Sequence, residues 1–234
     1  DTAMVDSWAP RAFTVTAPAN LAETSIAAIL FAWNLTTDSG TGVASYRLMA
    51  DTTGGNFAAP IAETTVSAST SSAFLSLPGT ENYVWRVVAT DAQSNATASD
   101  TRLILLDTTS PVPGTLTAPA NNLETGATVT FAWTAASDTH AGVASYKLQV
   151  STSPAFTTLA VDSSTGAALS GITTLTGTET YYWRVVAIDD AGCTAASESR
   201  ASRSDTTPPR ISRARRLDTA TNIIGPRIRV GAPR

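Results

Sequence analysis

Any chemistry in this chain would have to come from its acidic loops. Four aspartates stand out from the middle of the chain onward: Asp107 in "DTTSP", Asp138 in "SDTHAG", and Asp189 and Asp190 in "IDDAGC". Asp6, Asp38 and Asp91 hold the corresponding places in the first half. Hard cations such as Ca²⁺ take several carboxylate and carbonyl oxygens from flexible loops. The set Asp107, Asp138, Asp189 and Asp190 is therefore a candidate site for a structural Ca²⁺, and no other cofactor is expected. Aspartates in such loops also make Asx-turns and caps, and no EF-hand spacing is present. The same carboxylates could be read as the acid and base of a glycoside hydrolase. That reading fails because they sit in the loops of a repeated unit with no separate catalytic domain.

Other reactive groups are scarce. His140 is the only histidine and Cys193 the only cysteine. One of each is too few for a usual zinc site, and a single Cys excludes an internal disulfide. His140 alone could serve a Ser–His–Asp triad. Its context "SDTHAGV" reads as a polar loop, and no G-x-S-x-G elbow occurs. No catalytic residue is assigned, and the chain is read as a non-enzyme. The sequons Asn34-Leu-Thr36 and Asn95-Ala-Thr97 arise easily by chance in a Thr-rich chain.

Charge is unevenly spread. Residues 210–234 carry seven Arg and one Asp, a net +6, while the preceding 209 residues carry eight basic and eighteen acidic groups, a net −10. Such asymmetry points to an acidic protein surface or another polyanionic surface as partner. The tail has no aromatic residue to stack on bases, so nucleic acid is not expected. Arg213, Arg215, Arg216, Arg227, Ile228, Arg229 and Val230 are its candidate contacts. The segment is expected to add a strand, through Arg227–Val230 or Asn222–Ile224, to the sandwich edge of a neighbouring subunit. Pro226, which lacks an N–H, interrupts the run. A truncated third repeat is the alternative. No apolar run is long enough to span a bilayer. The start at Asp1, without Met or signal peptide, suggests a mature or excised segment.

The loops are positioned by a repeat. "TAPAN" at 16–20 returns at 117–121, "FAW" at 31–33 returns at 131–133, and "GVASYRL" returns as "GVASYKL". "LPGTENYVWRVVATD" at 77–91 returns as "LTGTETYYWRVVAID" at 175–189. The punctuation "DSWAP", "DTTSP" and "DTTPP" recurs about every hundred residues. Two copies of one unit follow, divided as residues 11–106 and 114–204. Residues 1–10 and 107–113 are linkers, and 205–234 are linker and tail. Hydrophobic residues make up 43% and charged ones 15%, enough for two cores. Within each unit the apolar period is two. Ile29, Phe31 and Trp33 share a face, as do Tyr83, Trp85, Val87 and Ala89, and again Tyr181, Trp183, Val185 and Ala187. Short strands with turn signals between them predict an all-β sandwich. Its core should rest on Trp33, Tyr83, Trp85, Trp133, Tyr181 and Trp183. Trp33 is expected against Trp85, and Trp133 against Trp183.

These motifs resemble fibronectin type III domains. "YRLMA" and "LPGTENYVWRVVATDAQSN" are similar to that family's strand C and E–F corner. Leu77 and Tyr83, and Leu175 and Tyr181, match its tyrosine corner, with Thr176 in place of the Pro. More narrowly, "AGVASYKLQVSTSPAF" and "DTTPP" resemble the tandem Ig-like and fibronectin-like repeats of bacterial secreted and surface proteins. The resemblance implies an all-β fold: two tandem antiparallel sandwiches plus an Arg-rich C-terminal tail. It also implies that the B–C and F–G loops meet the incoming linker at the N-terminal pole of each unit, which would bring the Asp sets together. An extracellular or cell-surface location follows. The function expected is non-catalytic: a spacer, adhesin stalk or filament subunit that self-associates or contacts neighbouring repeats. The alternative is an accessory carbohydrate-binding or spacer region of a secreted polysaccharide-degrading enzyme. That would need an exposed aromatic platform, for which Trp8 and Tyr182 are candidates.

Overall fold

A computed structural model of the chain describes residues 6–205. The first module consists of β1 (Val15–Ala17), β2 (Ala22–Thr24), β3 (Ala28–Trp33), β4 (Val43–Thr52), β5 (Ala62–Ser67), β6 (Ser72–Ser76), β7 (Glu81–Asp91), β8 (Ala96–Ala98) and β9 (Arg102–Leu106). The second repeats it with β10 (Leu116–Ala118), β11 (Leu123–Thr125), β12 (Thr128–Trp133), β13 (Val143–Ser151), β14 (Val161–Gly166), β15 (Ser170–Thr174), β16 (Thr180–Asp189), β17 (Thr194–Ala196) and β18 (Arg200–Ser204). No helix occurs among the described residues, so none there is long and apolar enough to cross a membrane.

Each module is two sheets face to face. In the first, β1-β3-β6 form the smaller sheet, and β2-β9-β7-β4-β5 the larger, with β8 also on β7. The second module has the same order with the corresponding strands. The pairs are antiparallel except β2 with β9 and β11 with β18, which run parallel. The last strand of each module is split at a buried or half-buried serine. Ser99 Oγ accepts from Val87 N at 3.0 Å while Ser99 N donates to Val87 O at 2.8 Å. Ser197 does the same with Val185. Both backbone groups of the strand interior are thereby satisfied across the break.

The period-two faces are the core. Ile29, Phe31, Trp33, Tyr83, Trp85, Val87 and Ala89 are buried together in one cluster, and their counterparts from the second module in another. The two tyrosine corners are formed: Tyr83 donates to the carbonyls of Pro78 and Gly79, and Tyr181 to Thr176 O at 2.6 Å. The tryptophans do not pair with each other as expected. Phe31 packs edge-on against Trp85 at 4.7 Å, and Trp33 against Tyr46 at 5.6 Å. Phe131–Trp183 and Trp133–Tyr146 repeat the arrangement. The period fixes the face of a residue, but the layer is set by register. Tyr46 lies opposite Ala89 on β7, four residues along from Trp85, so Trp33 and Trp85 occupy different layers.

"GVASY" is a structural signature. Gly42 and Gly142 adopt φ of +79° and +81°, a region that favours glycine. Tyr46 and Tyr146 point inward, and their hydroxyls accept from Thr36 N at 2.7 Å and Ala136 N at 2.9 Å. The motif thus braces the loop that carries Asp38 or Asp138.

Candidate metal centre

The structure brings each aspartate set to one pole of its module. Asp6, Asp38 and Asp91 offer carboxylate oxygens within 4.8 Å of one another, and so do Asp107, Asp138 and Asp189. Oxygens on opposite sides of a Ca²⁺ at 2.3–2.6 Å stand about 4.6–5.2 Å apart, so the span suits that ion.

At the junction the three side chains come from three elements. Asp107 belongs to the linker: its N–H donates to Thr24 O of the first module at 3.0 Å. Its carboxylate accepts from Thr109 N and Oγ1 at 2.9 and 2.5 Å, and from Ala141 N of the second module at 2.9 Å. Asp138 sits in the β12–β13 loop, where His140 N and Gly142 N donate to its Oδ1 at 2.9 and 3.2 Å. Asp189 ends β16; Cys193 N donates to its Oδ1 at 2.7 Å, while its Oδ2 is buried without a hydrogen-bond partner. Asp107 is 0% and Asp189 2% exposed. Burial opposes ionisation of Asp107. The Thr109 hydroxyl and N–H, the Ala141 N–H and nearby His140 outweigh it and hold the carboxyl below its ordinary range.

Asp190 does not join this triad. Adjacent residues at a strand end point to opposite sides, and Asp190 is exposed, its Oδ2 3.9 Å from where a Cβ on Gly142 would stand. Glu23 on β2 has its carboxyl pushed up by burial and then by the charges of Asp190, Asp107 and Asp189. Cys193 Sγ lies 3.4 Å from Asp107 O. The β16–β17 hairpin thus meets the linker, whose Asp107 N–H is bonded to Thr24 O of the first module. Sequence reasoning passed over Glu23 because nothing in its "LAET" context distinguishes it; contact across the junction does.

At the first module's pole, Asp6 accepts from Thr41 N at 2.5 Å and from Trp8 N at 3.0 Å. These two N–H groups hold its carboxyl below the ordinary range. The aromatic candidates do not form a platform. Trp8 is 70% exposed in the linker, and Tyr182 is half-buried on β16. The tail contacts Arg213, Arg215, Arg216, Arg227, Ile228, Arg229 and Val230 lie outside the described residues.

No family model matches the chain. Chitinase A1 of Niallia circulans is 31% identical over 218 residues, which is 89% of this chain. The chain spans 28% of that relative's length. Among solved structures, the fibronectin(III)-like modules of Clostridium thermocellum CbhA align with a TM-score of 0.52 at 16% identity, covering 86% of this chain and 97% of theirs. The FN1–FN3 domains of chicken CNTN1 align at 0.50 and 14% identity, over 85% of this chain and 69% of theirs. The chain is a tandem pair of modules with the fibronectin type III-like fold.

Proposed function

We propose that this chain is a non-catalytic spacer of a bacterial extracellular or cell-surface protein, and that a divalent cation of the Ca²⁺ type stiffens its inter-module junction. The observation that carries the reading is Asp107. Its backbone is bonded to the first module and its carboxylate to the second, within a triad whose buried Asp189 Oδ2 lacks a donor. Three carboxylates repel one another, and an all-oxygen donor set is what a hard cation selects.

Small-angle scattering and calorimetry with and without chelator test this. Chelator is expected to broaden the inter-module distance distribution and lower the unfolding midpoint. Identical curves in Ca²⁺ and in chelator would refute the cation. The likeness to a chitinase favours a second reading, in which the pair spaces domains of a secreted polysaccharide-degrading enzyme. Retention of the full chain on chitin would favour a binding role beyond spacing.

A further inference from the structure

The two poles differ at two positions that decide how their aspartates are satisfied. Four residues after the strand-end aspartate stands Asn95 in the first module and Cys193 in the second. Their backbone N–H groups behave alike, donating to Asp91 Oδ1 at 2.8 Å and Asp189 Oδ1 at 2.7 Å. Their side chains do not. Asn95 Nδ2 donates both to Asp91 Oδ2 at 2.8 Å and to Asp6 O at 3.0 Å. Cys193 Sγ reaches the equivalent linker carbonyl, Asp107 O, at 3.4 Å. A thiol is a weak donor with one hydrogen, against two on an amide. Asp189 Oδ2 is left without a partner in a residue 2% exposed.

A second substitution acts in the same direction. Thr41 N and Oγ1 both donate to Asp6 Oδ2, at 2.5 and 2.9 Å. Ala141 takes that place at the junction and offers its N–H alone, at 2.9 Å. One oxygen of Asp38 is unpartnered at the first pole, so the blockage there rests on the Asn95 amide and Thr41. A buried carboxylate oxygen without a donor is costly, and a bound cation removes that cost.

We propose that the residues at these two positions, Asn95 with Thr41 at the first pole and Cys193 with Ala141 at the junction, determine whether a pole takes a cation. The Asn95 amide holds the place at the first pole, and the junction triad of Asp107, Asp138 and Asp189 takes one Ca²⁺-type ion, giving one ion per chain. This rests on the cation reading above. The donor set for the ion is oxygen: one carboxylate oxygen from each of Asp107, Asp138 and Asp189, all within 4.8 Å of one another.

The test is titration calorimetry of Ca²⁺ into the full chain after chelator treatment, with far-UV circular dichroism as the fold control. Wild type is expected to bind one equivalent. C193N should bind at least tenfold more weakly, and N95C combined with T41A should gain a second equivalent. Two equivalents in wild type, or unchanged binding in C193N, would overturn the inference and leave the cation reading standing. No binding in wild type overturns both. Should C193N fail to fold, the presence or absence of the second equivalent in the N95C/T41A variant decides.

Discussion

The second module is expected to unfold well before the first, because its lower core is smaller and more polar. Ile29, Ile104 and Leu106 are buried in the first module. Val129, Ser202 and Ser204 take their places in the second, with both serine hydroxyls buried and unpartnered. Ile to Val removes one methylene, about 0.8 kcal/mol, and each Ile or Leu replaced by Ser forgoes roughly 1.5–3 kcal/mol of burial. Val150 for Ala50 returns about 1.6 kcal/mol at the same rate. The apolar difference is then roughly 2–5 kcal/mol against the second module, before the unsatisfied hydroxyls are counted. In a module of this size each kcal/mol moves the midpoint by about 4–8 °C, so the two midpoints should stand at least about 10 °C apart.

Differential scanning calorimetry of the full chain in chelator reads this directly, chelator removing any cation that couples the modules. Two transitions are expected. The double variant S202I/S204L should raise the lower one and leave the upper one in place. A single transition in wild type, or a lower transition that the variant does not move upward, would refute the reasoning.

Glu23 supplies a pH prediction. Its carboxyl is raised above the ordinary 4.5 by burial and by the junction aspartates, so ionising it destabilises the folded state. That penalty is absent below pH 4.5 and complete once pH exceeds the raised value. E23Q should therefore raise the unfolding midpoint at pH 7 in chelator, do nothing near pH 3, and lose its benefit when Ca²⁺ is added. An unchanged midpoint at pH 7 would show that Glu23 does not feel the triad. For the core, W33A should cost about 3–5 kcal/mol in urea denaturation, since Trp33 is buried against Tyr46.

What was legible follows from what each signal encodes. Period-two apolar residues report which side of a strand faces inward, so Tyr83, Trp85 and their counterparts were readable as core. They do not report cross-sheet layer, and the Trp33–Trp85 pairing was wrong for that reason. The parallel pairing of β2 with β9 was equally hidden: three residues, "AET", carry no usable period. The aspartates were readable as a set because two copies of the same loops displayed them twice, while Asp190 was included by adjacency in the chain alone. The role of position 95 or 193 was visible as a difference between the repeats. Its meaning required the hydrogen bonds, because only they show an amide satisfying two oxygens where a thiol leaves one bare.

Asp107 shows why a short linker need not be a free hinge. Few groups hold a linker of this length in most tandem proteins, and the default expectation is relative motion of the domains. Here the chain leaves β9 with the Asp107 N–H bonded to Thr24 O. Five residues on, Val112 and Ser137 exchange backbone hydrogen bonds at 2.8 and 3.0 Å. Between these two anchors the Asp107 carboxylate reaches Ala141 of the second module. Rotating one module against the other must break these bonds. A cation on Asp107, Asp138 and Asp189 would add a further tie, joining the linker to two loops of the second module at the residue already bonded to the first. On the cation proposal, stiffness at this junction depends on the bound ion as well as on the sequence of the linker.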